Sequence, residues 1–209
     1  MSSFQLNEVL NAEIAWRKKE IISVRKAVEG GGGRSGPILR ASMLILYAHW
    51  EGFIKKCSEM YLCYVQCKRL PLSELGANFQ ALVYRQTFSS GLSDKGVSQW
   101  VRMAEHFRQC SNKRVNIPWQ GVLDVHGNLS SVEFFKVCQL VGINYRDDWK
   151  SKELKIDGAL VGVRNSIAHG EFCKIEYEDY LEVEGLVVDL ISSFKNEIEN
   201  SAIMGGYRA

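Results

Sequence analysis

Between residue 37 and about residue 68 the chain contains no helix breaker stronger than Gly52, and this run constrains the fold more than any other feature. Pro37 is well placed to open a helix, because the first turn leaves its backbone nitrogens unbonded and proline's fixed φ suits that position. At 1.5 Å per residue the helix would be roughly 48 Å long. Ile38, Leu39, Met43, Leu44, Ile45, Leu46, Tyr47, Trp50, Phe53, Ile54, Met60, Tyr61 and Tyr64 surround most of its circumference. Such a helix has to be covered on several sides. The expected fold is therefore an all-α helical bundle with one long central helix, and residues 1–209 are expected to form a single domain.

The remaining elements follow from local pattern. Leu6, Leu10, Ile14, Ile21 and Val28 recur at helical spacing, with Arg17, Lys18, Lys19, Arg25 and Lys26 mostly off that stripe, which predicts an amphipathic helix with a basic outer side. The glycines of "EGGGGRSGP" break it. No Gly-Lys-Ser/Thr follows them and no strand precedes, so a phosphate-binding loop is excluded. Residues 72–88 and 93–110 show helical spacing. A short irregular or extended excursion is expected around residues 115–130, turning at His126-Gly127-Asn128. Ser130 and Glu133 have capping-box spacing ahead of a further helix. Residues 147–156 read as a charged linker, and residues 177–203 as a closing amphipathic helix whose stripe includes Tyr180, Leu181, Val187, Ile191, Phe194 and Ile198.

Apolar residues make up 46% and charged residues 24% of the chain, a composition that folds. No apolar run reaches the roughly 18–20 residues of a membrane span, and the N-terminus lacks the layout of a secretory signal, so a cytoplasmic protein with no membrane partner is expected. Six cysteines, none in a CxxC pair, suit reduced thiols. Cys63 and Cys67 lie one helical turn apart, but no second Cys/His pair has matching spacing. Neither a metal nor another cofactor is expected. The net charge is only +2. Its distribution is uneven, with eleven Lys/Arg against six Asp/Glu in residues 1–70 and three against nine in residues 171–209. That asymmetry either orients a polyanion toward one side or reflects solvated helix faces of differing sign.

One segment stands out chemically. In "LVGVRNSIAHGE", residues 160–171, an arginine, an asparagine and a histidine interrupt an apolar run that ends at a glycine. Each must find a partner or stay wet. On a helix Asn165 and His169 lie one turn apart on one side, and Arg164 is long enough to curl toward them. Asp157 or a neighbour is a possible N-cap and Gly170 the stop. The helix end and the nearby Glu171 are expected to favour the protonated imidazole. Arg164 offers a planar fork for a phosphoryl group, and Asn165 an orienting amide. Together they make a minimal kit for cutting RNA without a metal, in which a ribose 2′-hydroxyl attacks the neighbouring phosphate, His169 handles the proton and Arg164 stabilises developing charge. A capping histidine beside a surface arginine fits the same spacing.

A second polar cluster, "YAHWEGFIKK", interrupts the central helix. Glu51 and Lys55 form an i,i+4 pair, which an exposed salt bridge explains. Burial of His49, Glu51 and Lys55 against a partner helix would instead give them a place in a site.

Taken together, these two segments resemble the HEPN superfamily, specifically its stand-alone bacterial nuclease-like members. Arg164-Asn165 and His169 match the R-N-x3-H form of that superfamily's motif, and "LYAHWEGFIK" matches its second helix. The resemblance implies an all-α bundle that dimerises to form a composite, metal-independent endoribonuclease site, acting in toxin-antitoxin or antiviral defence, with an antitoxin or defence-system protein as a further partner. It makes Arg164 and His169 catalytic, Asn165 supporting, and Glu51 a helix-two partner, with Lys55 and His49 placed to bind RNA. Glu171 stands where the branch modified by a partner nucleotidyltransferase carries tyrosine. The alternative is a non-catalytic HEPN dimer serving as a protein- or RNA-binding module.

Overall fold

The computed structural model describes residues 1–30, 36–88, 96–123 and 128–209. The long breaker-free run forms helix α2, Gly36–Cys67, whose buried side chains face several directions. Helix α1, Ser3–Gly30, and the closing helix α9, Tyr177–Met204, pack against α2 and against each other. Leu10, Trp50, Phe53, Tyr61, Leu190, Ile191 and Phe194, all on these three helices, are fully buried. Burial of apolar surface on this scale is the main stabilising term of the bundle.

Smaller elements complete the cover. A 3-10 turn at Leu72–Glu74 leads to α3, Ala77–Phe88, and then α4, Val97–Cys110. Residues 111–123 run without regular structure, and among the described residues no strand forms, only isolated bridges such as Pro71 with Arg114. The expected excursion is present, although His126 and Gly127 of its turn lie outside the described residues, as do the glycines at 31–33. Helix α5, Ser131–Val141, starts where the Ser130 hydroxyl accepts from the Glu133 amide at 3.3 Å. The reciprocal half of the capping box is replaced, because Glu133 pairs with Lys136 and the Ser130 amide bonds Asn128.

Three sequence expectations need correction. Residues 147–156 are helical rather than a linker, comprising α6, Asp147–Lys150, and α7, Glu153–Lys155. Trp149 explains this, since its ring is fully buried among Phe134, Tyr145 and Phe194, and its indole donates to Ser193 at 2.8 Å. Arg17 lies on the buried stripe of α1, paired with Glu13 at 3.2 Å and folded over Trp16 against Gly52 of α2, where glycine leaves room for the guanidinium. Leu181, placed by pattern on the inner stripe of α9, is exposed. Here a small neighbour and a carboxylate together accommodate the polar tail of a long side chain, which periodicity does not reveal.

Candidate functional site

The segment carrying Arg164 is one continuous helical stretch from residue 153 to residue 168, but not an ordinary helix. Ile156–Gly162 is π-helical, so the Val163 amide reaches back to the Gly158 carbonyl. A Cβ on Gly162 would stand 3.1 Å from the Asp157 carbonyl oxygen, so a side chain here would press the wide turn open by a few tenths of an ångström. Asp157 does not cap its own helix. Its carboxylate accepts from the Ser131 amide at 2.8 Å and the Ser131 hydroxyl at 2.6 Å, tying the π turn to the start of α5. Wide turns of this kind re-aim the residues that follow them.

Those residues form α8, Val163–Ala168, with His169 at its C-terminal end. Gly170, at φ +75°, occupies the left-handed position that ends the helix. The Gly170 amide returns to Ile167 and the Glu171 amide to Ser166 at 2.9 Å. Arg164 and Asn165 are half-buried and His169 is exposed. The His169 amide bonds the Asn165 carbonyl at 2.9 Å, which fixes the one-turn separation expected from the spacing. Among the described residues Glu171 makes no ion pair with His169.

Arg164 is held by two neighbours, Asn165 and Tyr47. Its Nη1 donates to Asn165 Oδ1 at 2.9 Å, and the same oxygen accepts from Asn128 Nδ2 at 2.6 Å. The guanidinium carbon lies 5.1 Å from the centre of the Tyr47 ring, a cation–π distance. Tyr47 is itself pinned, because its hydroxyl accepts from the buried Leu129 amide at 2.8 Å and stands 3.5 Å from Asn128 Oδ1. Trp50 secures the same loop from one turn further along α2, its indole donating to the Leu129 carbonyl at 3.0 Å. Burial, with the adjacent Glu51 carboxylate adding to it, drives the Tyr47 hydroxyl far above its ordinary titration range, against the opposing effects of the Leu129 amide and Arg164. Tyr47 therefore stays protonated and serves as a neutral bracket.

Glu51 and Lys55 join this row as an i,i+4 pair, with Glu51 beside the Tyr47 hydroxyl. His49 does not. It points to the opposite side of α2, buried against α1, with its ring edge-on to Trp16 and its Nε2 3.1 Å from Glu20 Oε2 without hydrogen-bond alignment. Burial lowers its basicity, opposed by Glu20 and assisted by Arg17. The structure thus brings Arg164 and Asn165 together and joins Glu51 to them through Tyr47, with Lys55 reached only through its pair with Glu51; it leaves His169 exposed at its helix end and separates His49 from them.

Two members of the row, Tyr47 and Asn128, were not among the sequence candidates. Tyr47 reads as one more apolar position of a core helix, and Asn128 as a turn residue. Their roles depend on a contact spanning 81 residues, which no local pattern encodes.

The family comparison agrees with this architecture. The model of the MAE_28990-like HEPN family matches residues 6–207. The chain belongs to the HEPN family. The match takes in both the α2 segment and the α8 segment, and HEPN membership associates the protein with nuclease and RNA-related function in general. Comparison with curated proteins and with solved structures gave no match. In this HEPN protein no helix among the described residues is long and apolar enough to cross a membrane.

Proposed function

We propose that this HEPN protein is a metal-independent endoribonuclease, a single domain over residues 1–209 that works as a homodimer in toxin-antitoxin or antiviral defence. The observation that supports it most is the fixed guanidinium. Arg164 is braced by Asn165 and Tyr47, with Asn128 in turn holding Asn165, while His169, one turn on, is left open at the helix end. A charge organised in advance is what stabilises a developing phosphorane, because no reorganisation is needed when the charge appears.

In the reaction the ribose 2′-oxygen attacks the adjacent phosphorus, and the bond to the 5′-oxygen breaks. The products are a 2′,3′-cyclic phosphate and a 5′-hydroxyl. Two α8 ends facing each other across a dimer axis supply two imidazoles, one to take the 2′-hydroxyl proton and one to give a proton to the leaving 5′-oxygen. Arg164 meets the non-bridging oxygens, Asn165 holds Arg164, and Glu51 fixes Tyr47 and Lys55 at the edge. Lys55 contributes positive charge toward the RNA backbone.

Cleavage of a fluorescent RNA, followed with and without EDTA, tests this reading. Activity persists with EDTA and falls by at least about a hundredfold in folded Arg164→Ala and His169→Ala proteins, the range expected for loss of a preorganised charge or a general acid–base group. A second reading is a binding module that does not cut. Under that reading RNA or a partner protein binds without turnover, and both variants bind as the wild type does.

A further inference from the structure

Immediately beyond the helix end that carries His169, a cavity of about 340 Å³ opens between the start of α2 and the turn after α8, lined by Arg40, Ile167, Gly170, Glu171 and Phe172. Its size lies at the small end of ligand pockets, which run from roughly 300 to 1,000 Å³. Three features of its lining need an explanation. Phe172 is 87% exposed, although no fold requirement keeps an aromatic ring in water. Arg40 is half-buried and makes no ion pair with a described residue. Its guanidinium lies back over the first turn of α2, close enough that a Cβ on Gly36 would meet Nη1 at 3.4 Å. The positive end of a 32-residue helix thus reinforces a guanidinium that forms no ion pair among the described residues. Glu171 places a carboxylate on the remaining wall.

We propose that this cavity is a subsite for one unpaired nucleotide of single-stranded RNA flanking the scissile bond, with the base stacked on Phe172, the phosphate on Arg40 and the base edge read by Glu171. The assignment rests on the nuclease reading for its position relative to the cut, but the binding chemistry stands alone. A flat ring offered to solvent beside a guanidinium is the arrangement by which proteins take up unstacked bases. The carboxylate would repel a phosphate, so it faces the base. A carboxylate only accepts hydrogen bonds, and guanine presents two adjacent N–H donors on its Watson–Crick edge whereas adenine presents one. The subsite therefore favours guanine over adenine.

The test uses the full-length protein and short oligouridines containing a single guanine or adenine, with every ribose 2′-O-methylated so that no cleavage occurs, and fluorescence anisotropy as the readout. The guanine oligomer binds more tightly than the adenine one. Phe172→Ala lowers affinity about tenfold or more, as loss of one stacked base does, while Phe172→Tyr retains it. Arg40→Gln weakens binding and reduces the slope of log affinity against log salt by about 0.7, the signature of one lost single-strand phosphate contact. Glu171→Gln erodes the preference for guanine while leaving the affinity for the adenine oligomer within about twofold. Unchanged affinity in the Phe172→Ala and Arg40→Gln proteins overturns the proposal. So does a loss of binding that tracks conversion of the protein to monomers by sedimentation, because Phe172 would then be a contact between copies of this chain. Cleavage that needs His169 but ignores Phe172 and Arg40 leaves the nuclease reading standing and removes this one. Intact guanine binding by a protein that never cuts does the reverse.

Discussion

Replacing Tyr47 with phenylalanine isolates the bracket beneath Arg164. The ring stays and its cation–π contact with the guanidinium is kept, so the change removes one hydroxyl. That hydroxyl accepts from the Leu129 amide at 2.8 Å, and Leu129 is fully buried, so the amide has no water to turn to. Leaving a buried backbone donor unsatisfied costs about 1–3 kcal/mol, and the hydroxyl's further interactions with Asn128 and Glu51 are lost at the same time. No cavity term is added, because the ring volume is retained. Taking about 2 kcal/mol as the centre, and about 2–4 °C per kcal/mol for a domain of this size, the melting temperature should fall by roughly 4–8 °C. Thermal unfolding by circular dichroism reads that shift, and a urea titration with unchanged slope assigns it to stability rather than to a changed denatured state. Native-state hydrogen exchange should also accelerate at Leu129 more than in the core of α2. A melting temperature within about 1 °C of the wild type would show that the Tyr47 hydroxyl does not hold the loop at 128–130, and its part in preorganising Arg164 would go with it.

Other perturbations probe the same arrangement. Gly170→Ala puts a Cβ at φ +75°, where no neighbour clashes but the conformation itself costs about 1 kcal/mol, so a modest stability loss is expected together with faster exchange of the Glu171 amide. Asp157→Ala removes both acceptors of Ser131 and should destabilise by about 1–2 kcal/mol in chemical denaturation, as loss of a helix cap does; an unchanged midpoint would show that the π turn is not tied to α5. His49 is less basic in the folded protein than in the unfolded chain, where its pKa is about 6.5, because burial penalises its charged form more than Glu20 supports it. Its contribution is therefore present above about pH 6.5 and lost as the pH falls below, so the stability difference between wild type and His49→Gln should shrink from pH 7.5 to pH 5.5. A difference that grows on acidification would mean that the Glu20 pair dominates.

The bundle was legible because its central helix is written in the sequence twice, as a stretch free of breakers and as apolar residues around most of its circumference. Helix ends marked by one residue, such as Gly170 and the Ser130 cap, were also readable. Residues 147–156 were not, because six of these ten side chains are charged and the one that decides the structure, Trp149, acts through partners that lie elsewhere in the chain. The candidate site divides in the same way. The spacing of Arg164, Asn165 and His169 on one helix is local and could be read directly. Whether Glu51 or His49 faces that helix depends on how α2 is rotated, since residues two apart on a helix point about 200° apart, and only packing chooses between them. Tyr47 and Asn128 carry no local signal, because a hydrogen bond across the whole bundle leaves none.

The central claim is that Arg164 and His169 cut RNA by attack of a ribose hydroxyl rather than by metal-activated water. Mass spectrometry of the ends produced from a defined RNA in EDTA addresses it directly. The wild-type protein should yield fragments ending in a 2′,3′-cyclic phosphate opposite 5′-hydroxyls, and the His169→Ala protein none. Fragments bearing 5′-phosphates, or the same cyclic ends from the His169→Ala protein, would contradict it.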